Sequence, residues 1–103
     1  MIYSRSYRRA GRLTLKNSQG LRAGSVILKP QGVMEWHSTR HREELLIVLR
    51  GQIQLEWQQA SGRSRSLALP AGRCASLPPK VWHRVVNAAR QDAHYLYVTG
   101  GAA

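Results

Sequence analysis

Acidic residues, cysteine and long apolar runs are all scarce in this 103-residue chain. Five Asp and Glu stand against sixteen Lys and Arg, thirteen of them Arg, for a net charge of +11. The single cysteine, Cys74, excludes an internal disulfide, and the absence of a CxxC pair excludes the usual thiolate zinc pattern. No apolar run approaches the roughly eighteen residues of a membrane helix, and the longest, Leu45 to Leu49, is strand-sized. The first twelve residues lack the apolar centre of a secretory signal, so the expectation is a cytoplasmic protein with no membrane contact. No segment keeps apolar residues at three-four spacing over three turns, which argues against helix throughout.

At 43% hydrophobic the chain is too apolar for disorder, and its length suits one domain, residues 1–103. The basic residues run from Arg5 to Arg90 and do not gather on one stripe. With no nucleic-acid motif beside them, a solvated basic surface is the simpler reading and nucleic acid is not the expected partner.

Short apolar runs punctuated by Gly, Pro, Asn and Ser recur about every ten residues, the pattern of an all-β barrel or sandwich. Residues 1–12 read as a loose arm or an edge strand. Strands are expected at 13–15, 25–28, 34–39, 43–50, 52–58, around Leu67 and Leu69, and at 74–77, 83–87 and 94–99, with residues 100–103 as a frayed tail. Alternation in residues 34–39 places Met34 and Trp36 on one face and Glu35, His37 and Thr39 on the other. Glu43 to Arg50 is apolar on both faces, so both faces need cover.

The densest chemistry lies in WHSTRHREELLIVLRG, Trp36 to Gly51, where two His and two Glu lead into that strand. Gly32, His37, Glu44 and Gly51 form one spaced set, and Gly72, Pro78, His83 and Asn87 form a second. Together the two sets resemble the two motifs of the cupins, small double-stranded β-helix (jelly-roll) barrels. The resemblance covers residues 32–87 and departs at three points. Thr39 stands where the first motif has its second His, Lys80 stands where the second has a Gly, and one residue fewer separates Gly32 from His37.

The resemblance implies a divalent metal (Fe, Mn, Ni or Zn) held inside the barrel by His37, Glu44 and His83. Thr39 or His41 is then the weaker fourth candidate, because a hydroxyl is a poor ligand beside imidazole and carboxylate. Glu35 is either a base beside the metal or an exposed strand residue. The function implied is an enzyme of dioxygenase, isomerase or lyase type acting on a small, perhaps anionic, molecule. The alternative is a non-enzymatic cupin that binds or senses a sugar or other small ligand at a degenerate site. A homodimer is expected, since cupins often pair through an edge strand.

The remaining polar and aromatic residues have plainer readings. Glu43 should point away from Glu44. Trp36, Trp57 and Trp82 suit core or subunit interface, and Tyr95 and Tyr97 suit pocket or interface. Cys74 reads as a small buried hydrophobe, His94 as structural, Asn87 as turn-stabilising, and Lys80 as solvated at the barrel mouth.

Overall fold

The computed structural model describes residues 2–101. Nine strands run in order: β1 (Gly11–Arg12), β2 (Leu21–Leu28), β3 (Val33–His37), β4 (Glu43–Arg50), β5 (Gln52–Gln58), β6 (Ser64–Pro70), β7 (Cys74–Leu77), β8 (His83–Val86) and β9 (Ala93–Gly100). Every pairing is antiparallel. They form a five-stranded sheet, β1-β2-β9-β4-β7, and a four-stranded sheet, β3-β8-β5-β6. The described residues contain no helix, as the missing three-four periodicity predicts.

The core lies between the sheets and follows from period-two alternation. In β4, Glu44, Leu46 and Val48 are buried, while Leu45 and Ile47 on the opposite face are half-buried. In β5, Ile53 and Leu55 are buried against Leu69, Leu77, Val85 and Tyr95. Each such side chain contributes about 1.5–3 kcal/mol by leaving water. Leu46 is 2% exposed and central in β4, and its truncation to Ala would cost ~2–5 kcal/mol.

Turn chemistry sets the strand ends. Gly51 sits at φ 74, and a side chain there would come within 2.6 Å of the Asp92 carbonyl. Only glycine satisfies both demands, so the β4–β5 hairpin turns there. Asn87 is fully buried and ties two loops together. Its Nδ2 donates to the carbonyls of Leu28 (2.9 Å) and Gln91 (2.8 Å), and its Oδ1 accepts from the Ala89 N–H (3.0 Å). The turn-stabilising reading of Asn87 matches these bonds.

Several expectations change. Residues 13–15 are not a strand, although the Leu13 N–H still donates to the Ala23 carbonyl. The arm is exposed and contributes only the two residues of β1 to the sheet, anchored further by the Ser25 hydroxyl donating to the Tyr7 carbonyl. Gly100 continues β9, paired with Leu21 and Glu43. Met1 of the arm and Ala102 and Ala103 of the expected tail lie outside the described residues. Cys74 is exposed: it opens the edge strand β7 on the register position facing outward, opposite Ile47. Trp82 is 45% exposed, and Trp57 is half-buried against the core. Trp36 is half-buried with the Arg84 guanidinium 5.1 Å from its ring centre.

Candidate metal centre

Three strands from both sheets deliver the site. His37 ends β3, Glu44 is the second residue of β4, and His83 opens β8. Regular alternation would turn Met34 and His37 to opposite faces. Instead the β3–β8 register shifts between Met34 and His37, and His37 pairs directly with His83. This irregularity brings both Met34 and His37 to the interior, where they line the same chamber. The imidazole rings of His37 and His83 lie 4.4 Å apart between centres, tilted by 53°.

The same irregularity puts Glu35 outside. It is exposed, and its side chain lines neither the chamber nor the cavity above it. Its backbone carbonyl carries the role instead, accepting a hydrogen bond of 2.7 Å from His37 Nδ1. His83 repeats the arrangement, its Nδ1 donating to the Val81 carbonyl at 2.9 Å. A carbonyl can only accept, so each Nδ1 carries a proton, and Nε2 is the nitrogen left to offer a lone pair when the ring is unprotonated. Carbonyls on the far nitrogen are what orient histidine as a metal ligand.

His83 Nε2 and Glu44 Oε1 approach to 2.7 Å with both side chains buried, at 1% and 6% exposure. The contact is close, yet its angles do not make a hydrogen bond, and each atom is a buried polar atom with no hydrogen-bond partner. Unsatisfied buried polar atoms are costly unless something not yet counted satisfies them. The donor atoms of His37, Glu44 and His83 all lie within 4.8 Å of one another, a set able to hold one metal ion. Two imidazoles and a carboxylate suit Fe, Mn, Ni or Zn and leave coordination positions open.

Burial pulls the His83 pKa down. The Glu44 carboxylate against it, the Val81 carbonyl and the Glu44 charge together outweigh burial and raise it above 6.5. Burial also pushes the Tyr95 hydroxyl above its ordinary value of 10.0, helped by the charges of Glu44 and Tyr97, so it keeps its proton at neutral pH.

Of the weaker ligand candidates, Thr39 donates its hydroxyl to the Arg42 carbonyl at 2.6 Å, closing the loop before β4. His41 is exposed on that loop. Both line the outer cavity, and neither belongs to the converging set. His94 is buried on the far side of the sheet, against the Ser25 hydroxyl.

The donors sit where two spaces meet. The inner chamber, about 190 Å³, is walled by Met34, Leu46, Val85, Tyr95 and Tyr97. Gly24 makes room for the last of these, since a side chain there would come within 2.5 Å of the Tyr97 ring. Residues 24–99 match the cupin domain family.

The chain belongs to the cupin family. Among solved structures, a cupin 2 conserved barrel domain protein from Salinispora arenicola superposes with a TM-score of 0.73 at 25% identity, covering 91% of this chain and 76% of that one. An oxalate oxidase solved with the substrate analogue glycolate gives 0.74 at 18% identity, over 80% of this cupin and 42% of the oxidase. A Bacillus subtilis oxalate decarboxylase described by its Mn(II) centres gives 0.71 at 22% identity, over 81% and 22%. This cupin thus spans less than half the length of either oxalate enzyme. No curated protein matches the sequence.

Proposed function

We propose that this cupin holds a divalent metal ion at His37, Glu44 and His83 and uses the site to bind or transform a small molecule. The observation that carries the reading is the buried pair of unpartnered donors, His83 Nε2 and Glu44 Oε1, beside the Nε2 of His37. When bound, such a metal supplies a Lewis acid with open positions for a ligand. The chain's own residues supply the rest. The Glu35 and Val81 carbonyls hold the two rings in the metal-binding tautomer, and the apolar chamber wall excludes water from whatever enters. The oxalate enzymes that share the fold make Mn and a small carboxylate reasonable first probes.

A second reading, binding or sensing without turnover, is favoured by one observation. Apart from the three donors, the only ionisable groups lining the chamber among the described residues are Tyr95 and Tyr97. With Glu35 outside, no carboxylate is free there to act as a base. Turnover would then rest on a ligand that needs no separate protein base.

The homodimer belongs to the same proposal. The outward positions of β2, β4 and β9 carry Ala23, Ile27, Leu45, Ile47, Leu96 and Val98, a largely apolar face that also holds the Ser25–His94 pair. The outward positions of β5 carry Gln52, Gln54 and Glu56. A second copy over the first face would complete the cover that both sides of β4 require.

The site is tested by elemental analysis of protein purified without a histidine tag. One equivalent of a transition metal in the native protein, lost in His37→Ala and His83→Ala, supports it. Equal metal content in all three would remove the claim.

A further inference from the structure

The inner chamber opens into a larger cavity of about 670 Å³, and the two share His37, Glu44 and Tyr97. Four of the thirteen arginines line this outer space: Arg12 from β1, Arg22 from β2, and Arg40 and Arg42 from the loop before β4. Among the described residues the sole carboxylate lining it is Glu44, which is paired with His83. The four cations therefore give one opening a local excess of positive charge, which favours an anion there.

Two of the four are committed to structure. Arg42 donates to the Gln19 carbonyl through both terminal nitrogens, at 3.0 and 2.6 Å, and to the Thr99 hydroxyl at 3.4 Å. One nitrogen of Arg12 donates to the Lys16 carbonyl at 2.7 Å. The side chains of Arg22 and Arg40 have no hydrogen bond or ion pair among the described residues. Nor is Arg40 on a casual loop. Its backbone is held at φ 59, a conformation that side chains rarely adopt. The Ser38 hydroxyl accepts from its N–H at 3.2 Å, and the Thr39 hydroxyl fixes the next turn at Arg42. These contacts fix the loop backbone around Arg40, whose side chain lines the cavity.

We propose that this arginine-lined vestibule binds the anionic head, carboxylate or phosphate, of a small organic molecule whose uncharged body enters the chamber below. The guanidinium fork matches both oxyanions with paired hydrogen bonds, and Arg22 and Arg40 are the two forks free to do so. The chamber takes a body of a few carbon atoms: an apolar cavity of about 150 Å³ accepts benzene. The inference names the ligand class for the proposed metal site. It depends on that reading only for the metal lying at the ligand's inner end.

The test uses metal-free protein, so that failure of metal binding and failure of anion binding are separate results. Isotope-labelled protein is titrated at fixed ionic strength with inorganic phosphate, phenyl phosphate, benzoate and neutral phenol, following backbone amide shifts. The expected result is saturable shifts at residues 22 and 38–42, with an aromatic anion binding about tenfold or more tightly than phenol. Arg22→Ala/Arg40→Ala should weaken the anions by a similar factor and leave phenol unchanged. His83→Ala should keep anion binding while losing metal. Arg63→Ala/Arg65→Ala, on the far hairpin, removes the same charge and should change nothing. Binding of only one anion type still supports the proposal and says which head is taken. Saturable binding of none of the four probes would overturn it. So would anions no tighter than phenol, or equal weakening by the Arg63/Arg65 control.

Discussion

His83 Nε2 and Glu44 Oε1 lie 2.7 Å apart in the interior, and neither atom has a hydrogen-bond partner. That relationship is the one on which the proposed ligand set rests. The donor atoms of His37, Glu44 and His83 all lie within 4.8 Å of one another.

The pair sets a pH dependence. His83 has a folded pKa above 6.5, so in metal-free protein it contributes stability that is fully present below 6.5. That contribution is lost as pH rises through the folded value. The urea midpoint of metal-free protein, measured relative to His83→Gln, should therefore fall as pH rises from 6.5. Metal affinity should run the other way and weaken as pH falls through the same value, because the ion needs the unprotonated ring. A metal affinity indifferent to pH across that window would contradict the ligand role of His83.

Asn87 should matter for folding and not for chemistry. Asn87→Ala removes three side-chain hydrogen bonds from a fully buried position and leaves the Leu28 and Gln91 carbonyls and the Ala89 N–H short of partners. The expected loss is ~3 kcal/mol in equilibrium unfolding. Once folded, the variant should bind metal with near-native affinity.

Lys80 is held at φ 67, the left-handed region that favours glycine, at the position where the family motif has one. It is exposed, so its side chain offers little in return. Lys80→Gly should raise stability by ~1 kcal/mol, read as a shift in the urea midpoint with unchanged slope. A loss of stability would show that the lysine makes a contact worth more than its backbone strain.

The candidate set His37, Glu44 and His83 was legible in the sequence through its resemblance to the two cupin motifs, and the fold brings the three side chains together. The all-β class was legible through punctuated period-two runs. Period two failed in β3, where the register shift between Met34 and His37 turned Glu35 outward and left only its carbonyl in use. It also said nothing about Cys74, whose exposure depends on β7 being an edge. The arginine vestibule was out of reach altogether. Arg12, Arg22 and Arg40 come from separate segments, and only the fold brings them to one opening. Scattered along the chain, they read in sequence only as a solvated surface.

The central claim is that these three side chains form a metal centre, and an anomalous-diffraction structure of metal-loaded protein tests it most directly. One anomalous peak is predicted, ligated by His37 Nε2, a Glu44 oxygen and His83 Nε2, with both Nδ1 atoms still on the Glu35 and Val81 carbonyls. No peak there after metal loading, with Glu44 and His83 sharing a hydrogen bond, or a peak at His41 instead, would contradict it.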